Sequence, residues 1–232
     1  MKLRAQHILL CLSLALNVAA VVTALILHRW DCDRGILQEE VNRRLIVQWT
    51  YPDGITDDRF PSLWEMARGA RPTHVQVDYQ AFETDLPRID IFAAALRRFG
   101  SIEELTIGQG AAPAVERLLS GLGSQPHMTD LYCFSGDLSD AASESLAHFP
   151  RVKNLAIVGS SFTGARFPRM ERLSSFDCSF NPTSLIGLRR IAACPSLKKL
   201  MLREPEEGSV EYRQIVASVQ KEFPHVKITG IE

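Results

Sequence analysis

The sequence predicts an α/β fold: short parallel strands laddered on a concave face, helices on the convex face, a repeat solenoid preceded by one transmembrane helix. Three observations predict it. First, one phrase recurs, apolar-x-x-apolar-x-apolar, at Ile102/Leu105/Ile107, Met128/Leu131/Cys133, Val152/Leu155/Ile157, Leu173/Phe176/Cys178 and Leu197/Leu200/Leu202. A partial copy follows at Phe223/Val226/Ile228, and the last apolar residues lie 26, 24, 21, 24 and 26 apart. Units of this size bury their apolar faces only by stacking on one another. Second, the stretches between the phrases carry apolar residues at helical spacing. Third, an unbroken apolar run lies close to the N-terminus.

That run, Ile8 to His28, has Asn17 as its main polar interruption and is 21 residues long. At about 1.5 Å per residue it matches the roughly 30 Å hydrocarbon core of a bilayer. Lys2 and Arg4 precede it; Arg29 and Trp30 follow, and Trp favours the membrane interface. Its length exceeds that of a secretory-signal core and no A-x-A site closes it, which favours an uncleaved signal-anchor over a cleaved signal. The predicted organisation is a transmembrane signal-anchor at 1–30, a juxtamembrane stalk or short helix at 31–44, and the repeat domain at 45–232. A short basic N-terminus leading into an apolar core resembles an export signal, so the folded domain is expected outside the cytoplasm, at a single-pass membrane protein's surface.

Within the domain, Leu45 to Trp49 reads as a strand, 51–54 as a turn, and His74 to Asp78 as a second strand. Both are assigned as degenerate early repeats. Helical stripes follow at Phe92/Ala95/Leu96/Phe99, Val115/Leu118/Leu119/Leu122, Leu185/Leu188/Ile191/Ala192 and Ile215/Val219/Phe223. Most stop at a breaker: Gly100, Gly123, Pro195 and Pro224, with Pro150 doing the same after His148. The Gly-rich segment 158–170 is too short for a full helix, so a loop or a single 3₁₀ turn is expected there. Asn181, three residues after Cys178, is placed to bond backbone groups left unpaired where strand becomes loop.

The segments at 149–157, 194–202 and 223–228, together with 136–150, resemble bacterial leucine-rich repeat proteins of the ribonuclease-inhibitor-like and cysteine-containing subtypes. The resemblance is strong from about 99 to 232 and weaker from 45 to 98. It implies an αβ horseshoe and a protein-interaction role, and it implies no catalytic residue. Asn occupies the repeat's asparagine position only at Asn181.

Composition narrows the functional classes. The chain has 232 residues, 46% hydrophobic and 23% charged, as expected of a folded protein. Its net charge is −1, and Lys2, Arg4 and Arg29 are the only charged residues among the first thirty, so the remainder stands at −4. No basic surplus marks a nucleic-acid binder. Cys133 and Cys178 fill apolar ladder positions and Cys194 ends an apolar stripe, so all three read as small buried hydrophobes rather than ligands. The six histidines are scattered, and no motif for a nucleophile, a phosphate loop or a metal appears. Asp53, Asp57, Asp58 and Asp78 read as turn residues rather than a carboxylate site. No catalytic, cofactor-binding or metal-binding residue and no small-molecule substrate is expected.

If ladder residues point inward, their alternating neighbours point outward. The outward set begins with His74, Gln76 and Asp78, then Glu104, Thr106 and Gly108. From it come the candidate partner-binding residues Asp130, Tyr132, Phe134, Asn154, Val158, Asp177, Lys199, Met201 and Arg203. The face is then acidic at one end, aromatic and apolar in the middle and basic at the other end. Exposed aromatics flanked by charge suit protein recognition. The expected function is a non-catalytic module binding a protein or peptide partner near the membrane, with residues 8–28 contacting the bilayer. A structural packing subunit of a membrane assembly, and more remotely an enzyme on an unrecognised α/β fold, are the competing readings.

Overall fold

The structure is a computed structural model. It describes residues 2–41, 45–51, 53–59, 61–62, 65–66, 68–77, 86–108, 112–134, 138–203 and 210–230, with the backbone alone described at 2–17, 39–41, 45–47, 112 and 210–211. The chain opens with helix α1 (Lys2–Val41), followed by strands β1 (Leu45–Thr50), β2 (Thr56–Asp57) and β3 (Arg71–Val77). Then come α2 (Leu86–Phe99), β4 (Glu104–Ile107), α3 (Ala112–Leu122) and β5 (Asp130–Phe134). A short α4 (Asp140–Ser143) runs into a 3₁₀ turn (Glu144–His148) before β6 (Asn154–Val158) and β7 (Ser175–Asp177). The chain finishes with α5 (Leu185–Ala192), β8 (Lys199–Met201), α6 (Val210–Glu222) and β9 (Lys227–Thr229).

All nine strands form one sheet in the order β2-β1-β3-β4-β5-β6-β7-β8-β9. From β3 to β9 every pairing is parallel, each strand joining the next in sequence. Val75, Leu105, Leu131, Leu155, Phe176, Leu200 and Ile228 lie in one inward row; the registers align the ladder phrases residue for residue except the last, where Ile228 pairs with Leu200 rather than with Leu202 as its phrase suggests. All but the edge residue Ile228 are buried. Against that face lie the helical stripes, with Phe92, Leu96, Leu118, Leu119, Leu188, Ile191 and Val219 in the same core. Cys133, Cys178 and Cys194 are buried there too, and burial pushes the Cys133 thiol up to about 12.

Segment 159–170 contains no helix, as its composition predicts. Phe162 and Phe167 fill the space instead, with ring centroids 6.0 and 5.2 Å from Phe176. At about 2–3 kcal/mol per buried Phe side chain, the two rings supply the apolar cover of a missing helical stripe. Two helix N-termini hold the loop in place. Asp140 of α4 accepts from the backbone N–H groups of Thr163 (3.2 Å) and Gly164 (2.8 Å) and from the Thr163 hydroxyl. On the other side, the N-cap residue Ser184 of α5 donates its N–H to the Thr163 carbonyl at 3.0 Å. Asn181 does what its position suggests. Its Nδ2 donates to the carbonyls of Ile157 (2.5 Å), Cys178 (2.9 Å) and Ser179 (3.2 Å), and its Oδ1 accepts from the N–H and hydroxyl of Ser160.

Three expectations are corrected. The transmembrane helix is not found: among the described residues no helix is long and apolar enough to cross a membrane. Rather than ending at residue 30, α1 continues through the segment expected as a stalk and docks on the domain. Leu37 is fully buried, and Asp33, 2% exposed, takes two hydrogen bonds from the Arg98 guanidinium, one of them 2.7 Å from Nε. The single-pass membrane localisation, with the domain outside the cytoplasm, falls with the anchor.

The repeat solenoid is the third correction. What the chain forms is an α/β fold on a nine-stranded, mostly parallel sheet whose N-terminal edge does not repeat the pattern. Strand β1 is antiparallel to both β2 and β3, with Leu45 opposite Val77 and Thr50 opposite Thr56. A parallel pairing needs a crossover of a dozen or more residues, usually helical. Between β1 and β2 the chain turns back at once, the Gly54 N–H reaching the Tyr51 carbonyl at 2.9 Å with Gly54 at φ +83°. The later crossovers also differ from one another, from the fourteen-residue α2 to the helix-free loop after β6.

Candidate functional site: the open face of the sheet

Because strand side chains alternate, the face opposite the helices carries the residues between the ladder positions. The registers align them in two rows. His74, Glu104, Asp130, Asn154, Ser175, Lys199 and Lys227 form the first; Gln76, Thr106, Tyr132, Ala156, Asp177, Met201 and Thr229 form the second. A third, shorter row pairs Phe134 with Val158. Asp78 lies outside the described residues.

Tyr132 and Phe134 project together from β5, their rings stacked at 6.2 Å with an interplanar angle of 10°. Phe134 is 42% exposed and Val158 half-buried, so neither turns into the core. Beside them Asp130 accepts from the Tyr132 hydroxyl at 3.1 Å, from Asn154 Nδ2 at 2.7 Å and from the Thr129 hydroxyl at 2.5 Å. One carboxylate thereby fixes the orientation of the tyrosine and the asparagine on the next strand. Toward β7, Asp177 accepts from the Ser179 N–H at 3.0 Å and faces Met201 across the pairing. Lys199 and Arg203 are exposed, and the Arg203 N–H is held by the Ser179 hydroxyl at 3.1 Å. Eight of the nine candidate residues therefore occupy one face, Arg203 lying past the paired positions of β8. Asp130, Tyr132, Phe134, Asn154 and Val158 form a contiguous group on β5 and β6, whereas Asp177, Met201, Lys199 and Arg203 sit on or just beyond β7 and β8.

The Tyr132 hydroxyl is held protonated, its pKa pushed up to about 12, first by burial, then by the negative charge and hydrogen bond of Asp130, and last by the negative charge of Glu104. A folded-state value above the ordinary 10.0 stabilises the fold fully below pH 10, and that contribution is lost as pH rises toward about 12. Subtracting the near-ultraviolet phenolate titration of a Tyr132→Phe variant from that of the parent is expected to leave a transition centred near 12. A midpoint near 10 would show the phenol to be free of Asp130.

One contributor was not evident from the pattern. Phe180 adopts φ +60° and is 42% exposed, its N–H donating to the Arg203 carbonyl at 2.6 Å. A left-handed backbone at a bulky residue costs about 1–2 kcal/mol. The neighbouring bonds of Asn181 hold it there. The only available signal was its place immediately before the asparagine.

Elsewhere the acidic residues singled out from the sequence do local work. Asp53 accepts from the Ile55 N–H and Asp57 from the Arg59 N–H, each at 3.2 Å, and the latter bond lowers the Asp57 pKa. Among the described residues no cluster of three or more His, Cys, Asp or Glu is arranged to hold a metal ion. No protein-family model matches the chain, and no curated protein does either.

Proposed function

We propose that this chain is a non-catalytic interaction module, related to the bacterial leucine-rich repeat proteins, that holds a protein or peptide partner on the open face of its sheet. The observation carrying this reading is the in-register pair of outward rows. They place a stacked, partly exposed Tyr132–Phe134 pair between carboxylates at Glu104 and Asp130 and cations at Lys199 and Lys227. Aromatic groups surrounded by polar and charged ones concentrate binding energy, because the ring excludes water while the rim sets orientation. The hydrogen bonds on Asp130 pre-order Tyr132 and Asn154, so less side-chain entropy is lost when a partner docks.

The test is selection of a random peptide library on the immobilised full chain, followed by affinity measurement on a Tyr132→Ala/Phe134→Ala variant. Circular dichroism should match the parent, since both side chains lie on the solvent side. Selected peptides are expected to bind the variant about 30-fold more weakly or worse, about 2 kcal/mol. Peptides that bind parent and variant equally would remove the aromatic centre from the reading.

A further inference from the structure

Where strands β6 to β9 begin, the chain leaves a cleft of about 670 Å³ lined by Lys153, Arg172, Lys198 and His225, with Ser174 and Ser196 between them. Lys199 and Lys227, paired across β8 and β9, extend the same basic character onto the open face. Among the described residues no carboxylate lines the cleft, and Glu171 beside it is engaged by Arg169 at 2.8 Å. Among the described residues, Lys153, Arg172, Lys198, Lys199 and Lys227 take part in no ion pair. Cations gathered in one place repel one another, and an anionic ligand relieves that repulsion.

We propose that the segment of the partner recognised here is acidic, an extended peptide whose carboxylates lie along this basic cleft while its neighbouring residues reach the aromatic centre. The inference rests on the interaction-module reading. Carboxylates are favoured over a compact phosphate because the backbone donors that begin these strands are already used. The N–H groups of Lys153, Ser174, Lys198 and Lys227 each donate to a carbonyl of the preceding strand or the turn before it, at 2.8–2.9 Å. Those four amides are therefore not available to cradle a phosphate. Lys153 immediately precedes β6 and Lys198 immediately precedes β8, two strands or roughly 9.6 Å apart, with Arg172 in the turn before β7 and Lys227 in register with Lys199 on β9. That is a line rather than a point, and a line suits a chain of carboxylates. A long polyanion fits poorly, since Asp177, Asp130 and Glu104 lie farther along the same face.

The experiment uses fluorescein-labelled hexaglutamate and the full chain, with anisotropy read at several salt concentrations. Saturable binding that weakens with salt is expected. A Lys153→Glu/Arg172→Glu/Lys198→Glu variant, altered only at exposed positions, is expected to weaken it by about 100-fold through like-charge contact. Tyr132→Ala/Phe134→Ala should leave hexaglutamate affinity unchanged, which separates the cleft from the aromatic centre. Failure of hexaglutamate to saturate would overturn the proposal, as would binding indifferent to the triple reversal. Displacement by tripolyphosphate or an oligodeoxythymidylate at equal charge would overturn it in favour of a phosphate ligand. If selected peptides lose affinity in the aromatic variant while hexaglutamate ignores the charge-reversed one, the cleft is refuted and the open-face reading stands.

Discussion

Replacing Gly187 with alanine is expected to destabilise the fold by about 4 kcal/mol, lowering the melting temperature by roughly 8–16 °C for a chain of this size. A Cβ at this position would stand 2.0 Å from the Thr163 carbonyl oxygen and 2.8 Å from the Gly164 Cα. Both obstacles are backbone, and neither can retreat freely. The Thr163–Gly164 segment is bonded to Asp140 on one side and to Ser184 on the other, and Gly164 itself sits at φ +77°. Gly187 also donates its N–H to the Ser184 cap at 3.0 Å, so moving the helix away would sacrifice the cap as well. Gly35 in α1 is the internal control. Nothing lies within 4 Å of its would-be Cβ, and alanine there should be neutral or stabilising by up to about 1 kcal/mol. Thermal unfolding of the two variants side by side checks the argument. A Gly187→Ala protein melting within a degree of the parent would show that the loop yields.

Asn181→Ala is expected to cost nearly as much, roughly 4 kcal/mol, because buried polar groups left unpaired cost about 1–3 kcal/mol each. The side chain is 4% exposed and joins two turns: Ile157 and Ser160 on the β6 side, Cys178 and Ser179 on its own. Alanine would orphan carbonyls that water reaches poorly and would release Phe180 from its left-handed backbone. Asn181→Asp retains an acceptor for Ser160 but removes the amide donor and buries a charge, so it should be no milder. Urea denaturation followed by tryptophan fluorescence reads both variants. A loss below about 1 kcal/mol for Asn181→Ala would mean that ordered water replaces the amide at little cost.

The reach of the sequence differs along the chain for physical reasons. The inward rows and the outward rows were legible because a strand's period of two leaves one register that buries Leu105, Leu131, Leu155 and Leu200 together. Asn181 was legible because its chemistry has few uses at the end of a strand. The direction of β1 was not. An alternating apolar strand reads the same in parallel and antiparallel pairing, and the chain between β1 and β3 is long enough for either. The apolar run before residue 28 looked decisive in isolation. What it concealed was the continuation of its helix to Asp33 and Leu37, whose partner Arg98 lies 65 residues away from Asp33. Distant pairings of that kind leave no local mark. The basic cleft had a faint one: Lys153 and Lys198 each directly follow the first apolar residue of a ladder phrase (Val152 and Leu197).

The order of the sheet also sets how the molecule yields to force. Helix α1 leads into β1 near one edge of the sheet, and β9 forms the opposite edge. Tension between the ends would peel β9 first, then β8 and β7, each held to its neighbour by a ladder of only three paired positions. Rupture would spread as a series of small yields rather than a single catch, with the strands around β5, paired over five positions with β6, among the last to part.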